Sequence, residues 1–503
     1  MSALTKYRPI MVVGTGSHVG KSVLVTGLCR VFWRRGLDVA PFKAQNMALN
    51  SGITPAGGEI GRAQISQAEA AGLMPHVDMN PVLLKPTSDL GSQVIVQGKV
   101  LGNYKGIDYY RLKPRLLPKV MDSFHRLQEV HQLIVLEGAG SCAELNLKRH
   151  DLVNMAMARR ARAKVLLVAD IDAGGVFGQV LGSLNLLTPG ERRLVAGVVV
   201  NKFRGDPELF SEGIEIMARR GKKPMLGLLP YFRLGLPQED GVALERGGGP
   251  TGGSGRLRVG VARLSRISNF TDVDCLAAEE DVDLRWIERP EQLAGLDLLI
   301  LPGTKNTLAA LAGLHSNGLF AAIQHFHALG GRVMGLCGGY QLLGREIADP
   351  LGVEGPPARE SGLDLLPVAT VMAGKKTTSS VKAVALDSLP FPAPGKLAGY
   401  EVHMGQTRSL GPSRPAFGLR MRLDQPVDLE DGQVSPEGRV VGTYLHGILD
   451  NDALRAGLLT WATGGGDVAC LSDYAVFKDR QYDLLADLLE EHLNLEGLLE
   501  PLD

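Results

Sequence analysis

Residues 10–22 read IMVVGTGSHVGKS, an apolar run followed by a glycine-rich turn that ends in Gly20-Lys21-Ser22. The apolar run is typical of a strand buried on both faces of a parallel sheet, and the residues from Lys21 onward are typical of a helix. Between a strand and a helix, a glycine-rich turn lets backbone N–H groups surround phosphate oxygens. The stretch therefore predicts a phosphate-binding loop at the edge of an α/β sheet.

The loop carries the groups that a nucleotide site needs. Lys21 supplies a positive charge, and the hydroxyl of Ser22 can ligate magnesium. The usual loop has a glycine where this chain has Thr15, and a purely structural glycine turn is the alternative interpretation. The residues predicted to bind ATP in this loop are Gly14, Thr15, Gly16, Ser17, Val19, Gly20, Lys21 and Ser22.

Short apolar runs alternate with amphipathic stretches through the first half of the chain, which predicts a doubly wound parallel sheet flanked by helices. Such a domain places the ends of its strands, and the loops that follow them, at one edge. Strands are predicted at 10–13, 38–42, 133–136, 165–169, 195–200 and 225–228, and helices at 21–35, 152–161 and 207–219.

Acidic residues follow two of these strands. Glu137 precedes a glycine-rich turn, and Asp170 and Asp172 follow the run at 165–169. Carboxylates at strand ends are common ligands for the magnesium of a nucleotide site, so Ser22, Glu137 and Asp170 are the predicted metal ligands. Capping of the following helices is the alternative role for these acids.

Two further side chains are predicted at the nucleotide site. Lys43 ends the second strand, from which it could reach the phosphates. Asn201 follows the strand at 195–200, where an amide could read the base. Both are added to the predicted ATP-binding residues.

A glycine-rich stretch at 247–255 has few side chains with which to build a core and predicts a flexible linker. After it a second α/β series begins, with a helix at 273–280 and strands at 257–262, 282–287, 298–301 and 333–336. Proline, glycine and alternating apolar positions between 350 and 440 predict β-hairpins that decorate this domain. The predicted organisation is a nucleotide-binding domain at 1–245, a linker at 246–255 and a second α/β domain at 256–503.

A cysteine occupies a sharp turn in the second half, in the segment GLCGG around Cys337. A nucleophile between a strand and a helix is exposed by such a turn, and the N–H groups that follow stabilise a thiolate and a developing oxyanion. His446, which ends another apolar run, is the predicted base. A buried structural cysteine and a satisfied core histidine are the alternatives. The predicted oxyanion and substrate pocket consists of Gly303, Thr304, Gly338, Gly339 and Gln341.

The bulk composition limits the classes of function. In 503 residues, 54 basic and 54 acidic side chains cancel, which argues against a nucleic-acid or anionic-membrane partner. The five cysteines never form a Cys-x-x-Cys pair, which favours a reducing compartment over disulfides or zinc. No apolar run approaches the ~20 residues that span a bilayer, and the first residues lack a signal sequence. The expected location is the cytoplasm.

With both halves interpreted, the chain resembles the cobyric acid synthase family of glutamine-hydrolysing amidases over essentially its whole length. That resemblance implies a dethiobiotin-synthetase-like N-terminal domain and a type 1 glutamine amidotransferase domain at the C-terminus. The segments that carry it are residues 14–22, 41–47 (PFKAQNM), 137–141 (EGAGS), 170–177 (DIDAGGVF), 302–305 (PGTK), 336–341 (LCGGYQ) and 400–405 (YEVHMG).

The resemblance also implies a reaction. Cys337 would attack the glutamine side-chain amide while His446 moves protons, and the released ammonia would be used at the other site. ATP and Mg²⁺ would activate carboxylates of adenosylcobyrinic acid a,c-diamide as acyl phosphates, which must be kept from water. Amidation of the b, d, e and g side chains would give adenosylcobyric acid, in cobalamin biosynthesis.

Three points stay open at this stage. Many type 1 domains place a glutamate two residues after the histidine, but Ile448 stands there, so either a Cys-His dyad or an acid from elsewhere, such as Glu401, is expected. The rival functions are a cobyrinic acid a,c-diamide synthase and a switch ATPase of the partitioning or septum-positioning kind. The sequence also leaves open whether the chain forms an oligomer.

Overall fold

The computed structural model forms two compact units. The first unit consists of the described parts of Met1–Met47, Ile60–Leu236 and Lys478–Asp503, and the second of Ala48–Glu59 and the described parts of Pro237–Phe477. Residues 48–59, predicted to belong to the first domain (1–245), pack with the second unit. Residues 478–502, predicted to belong to the second domain (256–503), pack with the first unit. Of the predicted linker, 246–254 lie outside the described residues. The structure describes residues 5–87, 91–236, 255–466, 468, 470–471 and 473–502.

A six-stranded parallel sheet forms the centre of the first unit, and all six of its strands were predicted. Alternate residues of the central strand face opposite cores, with Met11 and Val13 on one side and Ile10 and Val12 on the other. Burial of both faces explains the unbroken apolar run. From edge to edge the strands are Met225–Pro230, Val195–Phe203, Lys164–Asp170, Ile10–Gly14, Leu133–Ser141 and Val39–Phe42.

The helices of the first unit cover both faces of this sheet. The helix predicted at 152–161 is shorter, and the one predicted at 207–219 begins with a single 3-10 turn at Pro207–Phe210. A second sheet, of four strands, was not predicted: it comprises Gln45–Met47, Val82–Pro86, Gly91–Val96 and Lys99–Lys105. The helices are Lys21–Arg34, Arg62–Ala70, Gly106–Val130, Met155–Arg160, Val176–Leu186, Pro189–Leu194 and Ser211–Gly221.

The C-terminal helix, Tyr474–His492, contributes its residues from Lys478 onward to the first unit. Leu485 and Leu489 are buried there with Leu24 and Leu28 of the helix that follows the phosphate loop. A side chain at Gly27 would place its Cβ 2.4 Å from Leu489 Cδ1, so the glycine permits this close approach. The apolar face of the last helix therefore completes the core behind the loop.

The second unit is built on another α/β sheet, whose first four strands were predicted. Five of its strands are parallel and the sixth pairs antiparallel at the edge. In sheet order the strands are Val282–Ile287, Leu257–Ala262, Leu298–Leu301, Arg332–Leu336, Val440–Thr443 and Gln433–Val434. Its helices are Asp274–Ala277, Thr307–Ser316, Leu319–Ala328, Gly338–Leu343 and Asp452–Ala462.

The region between 350 and 440 forms β-hairpins, as predicted. Two long strands, Val368–Ala385 and Leu397–Ser409, pair antiparallel through most of their length. The other strands of this mixed sheet are Glu346–Asp349, Ala358–Ser361, Phe417–Arg422 and Gln425–Asp431.

Among the described residues, no helix has both the length and the apolar character that a bilayer span requires.

Candidate active sites

The parallel register of the first sheet gathers the predicted nucleotide-site residues at one edge. Val12 pairs with Glu137, Gly14 pairs with Val168, and Asp170 pairs with Asn201. Because the carboxyl ends of parallel strands share an edge, the loop after Gly14 lies among these side chains. Ligands of open α/β sheets bind at such an edge.

Two glycines are required by the tight path of the loop. Gly20 has a φ of 99°, and a Cβ on it would lie 2.1 Å from Asn201 Nδ2. A Cβ on Gly14 would lie 2.8 Å from the carbonyl oxygen of Gly16. Lys21 Nζ donates to that oxygen at 2.9 Å and to the carbonyl of Gly140 at 3.0 Å. The lysine is thus held over the loop, with its charge directed at the loop's inner backbone.

Glu137 is the buried centre of the predicted metal and phosphate region. Its Oε1 accepts hydrogen bonds from Ser22 Oγ at 2.8 Å and from Lys43 Nζ at 2.7 Å. Its Oε2 accepts from Gln67 Nε2 at 2.6 Å and from Gln64 Nε2 at 3.3 Å. A buried carboxylate is stable only when paired and hydrogen-bonded, and Lys43 with three neutral donors provides both.

Asp170 and Asp172 are each paired with a basic side chain. Lys202 Nζ lies 2.6 Å from Asp170 Oδ2 and also donates to the carbonyl of His18 at 2.8 Å. Arg204 pairs with Asp172 at 2.9 Å. The contacts of Lys202 thus link the strand end at Asp170 to the phosphate loop.

The chemistry of the predicted metal ligands suits magnesium, but only two of them touch. Ser22 and Glu137 bring hard oxygen donors together at 2.8 Å, whereas Asp170 is held by Lys202. Within the described residues, no group of three or more His, Cys, Asp or Glu side chains is gathered as a metal site. Glu137 and Asp170 would each have to exchange a lysine contact for the ion, while Ser22 fits a direct contact.

Asn201 contacts the loop itself. Its Nδ2 donates to the carbonyl of Val19 at 2.9 Å, and its Oδ1 accepts from the backbone N–H of Lys202. The amide predicted to read the base therefore has both ends engaged, and its Nδ2 holds the loop. Thr15 Oγ1 is bound to Gln179 at 3.1 Å, and Ser17 is exposed at the tip.

Cys337 lies on a strained turn between the strand Arg332–Leu336 and the helix Gly338–Leu343. Its φ of 52° and ψ of −106° are unfavourable for a residue with a side chain. The N–H of Cys337 donates to the carbonyl of Thr443 at 2.8 Å, which holds the turn in place. Strain of this kind is typical of a nucleophile at the end of a strand. The predicted exposure is not observed, because Cys337 is buried.

The two residues after Cys337 must be small because the backbone of neighbouring segments lies very close to them. A Cβ on Gly339 would lie 1.9 Å from the carbonyl oxygen of Leu301, and one on Gly338 would lie 2.9 Å from the N of Thr304. A Cβ on Gly303 would lie 3.1 Å from His446 Cε1. The structure therefore brings the predicted pocket loops, the cysteine turn and the histidine together.

Gln341 is buried and engaged with its neighbours. Its Oε1 accepts from Thr307 Oγ1 at 2.7 Å, and its Nε2 donates to Tyr444 OH at 3.2 Å. Both ends of the Gln341 amide are thus engaged by neighbouring hydroxyl groups beside the predicted pocket.

His446 is held by an acid that sequence analysis missed. Its Nδ1 lies 2.6 Å from Asp272 Oδ2, and Asp272 Oδ1 accepts the N–H of Gly447 at 2.9 Å. Burial lowers the pKa of His446, but the charges of Asp272 and Cys337 outweigh this effect and raise it to about 10. The buried Nε2 makes no hydrogen bond within the described part of the chain. One ring nitrogen is thus fixed by a carboxylate, and the other is not held by a hydrogen bond from any described residue.

Glu401 does not fill the role of this acid. It pairs with Arg422 at 2.8 Å and lies 3.6 Å from His403 Nε2. His403 itself binds the carbonyl of Gly405 and stacks on Tyr444 with ring centroids 3.8 Å apart. The suggested Glu401 is therefore wrong as the partner of His446, which binds Asp272 instead.

A weak signal for Asp272 exists in the sequence. It follows the first strand of the second unit, on the 3-10 turn Phe270–Val273, where a helix was predicted to begin. Cys337 and His446 also follow strands of the same parallel sheet. Because Asp272 stands well beyond the end of the strand Leu257–Ala262, the strand-end position that selected Glu137 does not by itself select it.

Other cysteines lack the features of a nucleophile. Burial raises the pKa of the Cys29 and Cys275 thiols well above the ordinary value. The pKa of Cys142 is raised to about 12 by burial. Thiols of this kind are inert.

Two family models match the chain. Residues 10–234 match a CobQ/CobB/MinD/ParA nucleotide binding domain, and residues 258–454 match a CobB/CobQ-like glutamine amidotransferase domain.

Curated relatives match over nearly their whole length. The cobyric acid synthase of Syntrophobacter fumaroxidans is 50% identical, with 98% of this chain and 98% of that protein covered. The cobyric acid synthase of Moorella thermoacetica is 46% identical, with 98% of this chain and 96% of that protein covered. That of Citrobacter koseri is also 46% identical, with 97% of each covered.

Proposed function

Because the chain belongs to the cobyric acid synthase family, we propose that it amidates the b, d, e and g carboxylates of adenosylcobyrinic acid a,c-diamide with glutamine and ATP. The product is adenosylcobyric acid, in cobalamin biosynthesis. The observation that carries the proposal is the strained Cys337 beside a histidine that Asp272 holds, in the same chain as a phosphate-binding loop. One centre releases ammonia and the other activates the acid that ammonia attacks.

At the glutaminase centre, the sulfur of Cys337 attacks the side-chain carbonyl carbon of glutamine. N–H groups of the turn after Cys337 stabilise the negative charge that develops on the oxygen. The carbon–nitrogen bond breaks, the leaving nitrogen takes a proton from His446, and ammonia departs. Water then gives a proton back to His446 and attacks the thioester, which releases glutamate. Asp272 on Nδ1 keeps Nε2 directed at these protons.

At the nucleotide centre, a corrinoid carboxylate oxygen attacks the γ-phosphorus of ATP, giving an acyl phosphate and ADP. Lys21 exchanges its carbonyl contacts for phosphate oxygens, and Lys43, anchored by Glu137, adds a second positive charge. Ammonia attacks the acyl carbon and phosphate leaves. Each amide thus consumes one glutamine and one ATP.

Magnesium bound with ATP would neutralise charge on the β- and γ-phosphates. Ser22 is the side chain that would hold it directly, and Glu137 and Asp170 are the carboxylates available to it. Replacement of Ser22 by alanine should raise the magnesium concentration needed for half-maximal ATP-dependent amidation.

The test is mass spectrometry of adenosylcobyrinic acid a,c-diamide after incubation with the protein, glutamine, ATP and magnesium. We expect one exchange of OH for NH₂ at each of the b, d, e and g side chains. Cobyrinic acid without the a and c amides should stay unchanged, which separates this activity from that of an a,c-diamide synthase. ATP hydrolysis without glutamate release or any new amide would instead support a switch ATPase.

A further inference from the structure

Residues 48–59 belong to the second unit although they are encoded in the first half of the chain. Strand Gln45–Met47 precedes them and Ile60 follows them, and both of these belong to the first unit. The segment also lies within residues 10–234, which match the nucleotide-binding model rather than the amidotransferase model. It therefore adds chain from the nucleotide-binding half to the unit that contains Cys337.

Asn50 and Ser51 bind the turn that carries the triad acid. Asn50 Oδ1 accepts the N–H of Phe270 at 3.2 Å, and the N–H of Ser51 donates to Asn269 Oδ1 at 3.1 Å. Asp272, two residues further on, binds His446. The two hydrogen bonds thus fix the start of the 3-10 turn whose third residue orients the catalytic imidazole.

The same segment also binds Tyr400, whose aromatic ring stacks on the imidazole of His446. Tyr400 OH donates to the carbonyl of Ser51 at 3.2 Å and accepts from Asn269 Nδ2 at 3.3 Å. The Tyr400 ring stacks on His446 with centroids 5.3 Å apart and an interplanar angle of 21°. Backbone hydrogen bonds at 3.0 Å and 2.9 Å join these two residues as well.

The segment is anchored well enough to act as a support. Asn50, Ser51 and Glu59 are buried, with about 1% of each residue exposed. Glu59 accepts from Ser51 Oγ at 2.8 Å and pairs with Lys376 at 2.5 Å, in the long strand Val368–Ala385. A buried ion pair holds a segment in one position because breaking it leaves a charge unpaired.

We propose that Asn50 and Ser51 are positioning residues of the glutaminase, which hold Asp272 and Tyr400 in the places from which they orient His446. They act through Asp272 and Tyr400 rather than on the reacting sulfur. The inference rests on the proposed glutaminase activity of Cys337. It assigns part of the glutaminase to residues outside the span that the amidotransferase model matches.

The test compares full-length variants in two assays, glutamine hydrolysis and amidation with ammonium in place of glutamine. Asn50→Ala should lower kcat for glutamine hydrolysis about tenfold with little change in KM, because misplacing a proton-transfer group slows chemistry more than binding. The alkaline limb of its pH profile should move to lower pH, because a looser Asp272 holds the proton of His446 less firmly. Ammonium-dependent amidation should stay near the wild-type rate.

A second variant changes Asn269, whose side chain accepts the N–H of Ser51. Asn269 has a φ of 56°, so Asn269→Gly removes its side chain while keeping a backbone angle that glycine adopts readily. We expect the same loss of glutaminase kcat, and the double variant should lose less than the product of the two effects. Ala56→Ser, in the exposed turn of the same segment, is the matched control and should behave as wild type.

Wild-type kcat and pH profile in both Asn50→Ala and Asn269→Gly would overturn the inference. So would a parallel loss of ammonium-dependent amidation, because that result indicates general unfolding. Absence of glutamine hydrolysis in the wild-type protein would instead contradict the proposed function.

Discussion

Two buried carboxylates, Glu137 and Asp272, organise the two sites in opposite ways. Glu137 accepts from four side chains, and its charge is matched by Lys43. Asp272 instead binds a histidine whose pKa it helps to raise to about 10, after burial has acted in the opposite direction. The first arrangement fixes charge beside a phosphate loop, and the second sets the protonation of a group that must move protons.

The largest expected effect separates the two sites. Cys337→Ala should lower glutamine hydrolysis by about ten-thousandfold or more, because the nucleophile is removed. Ammonium-dependent amidation should remain, since that reaction uses only the nucleotide centre. Glutamate release and corrinoid masses measure the two rates, and retention of glutamine hydrolysis would show that Cys337 is not the nucleophile.

A substitution at Glu137 tests the nucleotide site instead. Glu137→Gln leaves Lys43 buried without its counter-ion, so ATP-dependent amidation should fall by about a hundredfold to a thousandfold. The free energy of unfolding should fall by about 3 to 5 kcal/mol, as when one partner of a buried ion pair is removed. Denaturant unfolding measures the second quantity.

Asp172→Asn is the control for this change, because the Arg204 pair is exposed and screened by solvent, so the free energy of unfolding should stay near the wild-type value. Equal effects of the two substitutions would show that the Glu137 cluster has no special role.

Asp272→Asn tests the other carboxylate. Glutamine hydrolysis should fall by about a hundredfold, because His446 loses the group that orients it. In the intact site the imidazolium persists up to about pH 10. Without Asp272 the effect of burial lowers the pKa, so the imidazolium loses its proton at lower pH and the alkaline limb of the rate profile moves to lower pH. An unchanged limb would contradict the assigned pair.

The smallest effect is expected at Glu401. Because Glu401 binds Arg422 and not His446, Glu401→Gln should change glutamine hydrolysis by less than about threefold and leave the alkaline limb in place. A shift like that of Asp272→Asn would show that Glu401 also controls the imidazole.

Local patterns predicted the strands of the first central sheet, four strands of the second, and the turns that carry Lys21 and Cys337, because each depends on nearby sequence. Strands buried on both faces read as unbroken apolar runs, and both glycine-rich turns lie directly after such strands. The β-hairpins between 350 and 440 were predicted for the same reason.

The features that the sequence could not predict depend on contacts between segments that are distant along the chain. The apolar face of helix Tyr474–His492 is visible, but its pattern does not say which core it joins. Residues 48–59 carry no motif for their packing with the second unit. Asp272 is separated from His446 by 174 positions, and only the tertiary fold brings them together.

The central claim is that one chain releases ammonia at Cys337 and consumes it on an ATP-activated carboxylate. The most direct measurement supplies glutamine labelled with heavy nitrogen in its amide, together with unlabelled ammonium, and follows the label into the corrinoid. We predict that every new amide carries the label and that one glutamate and one ADP accompany each. New amides that draw their nitrogen from the unlabelled ammonium while labelled glutamine stays intact would contradict the claim.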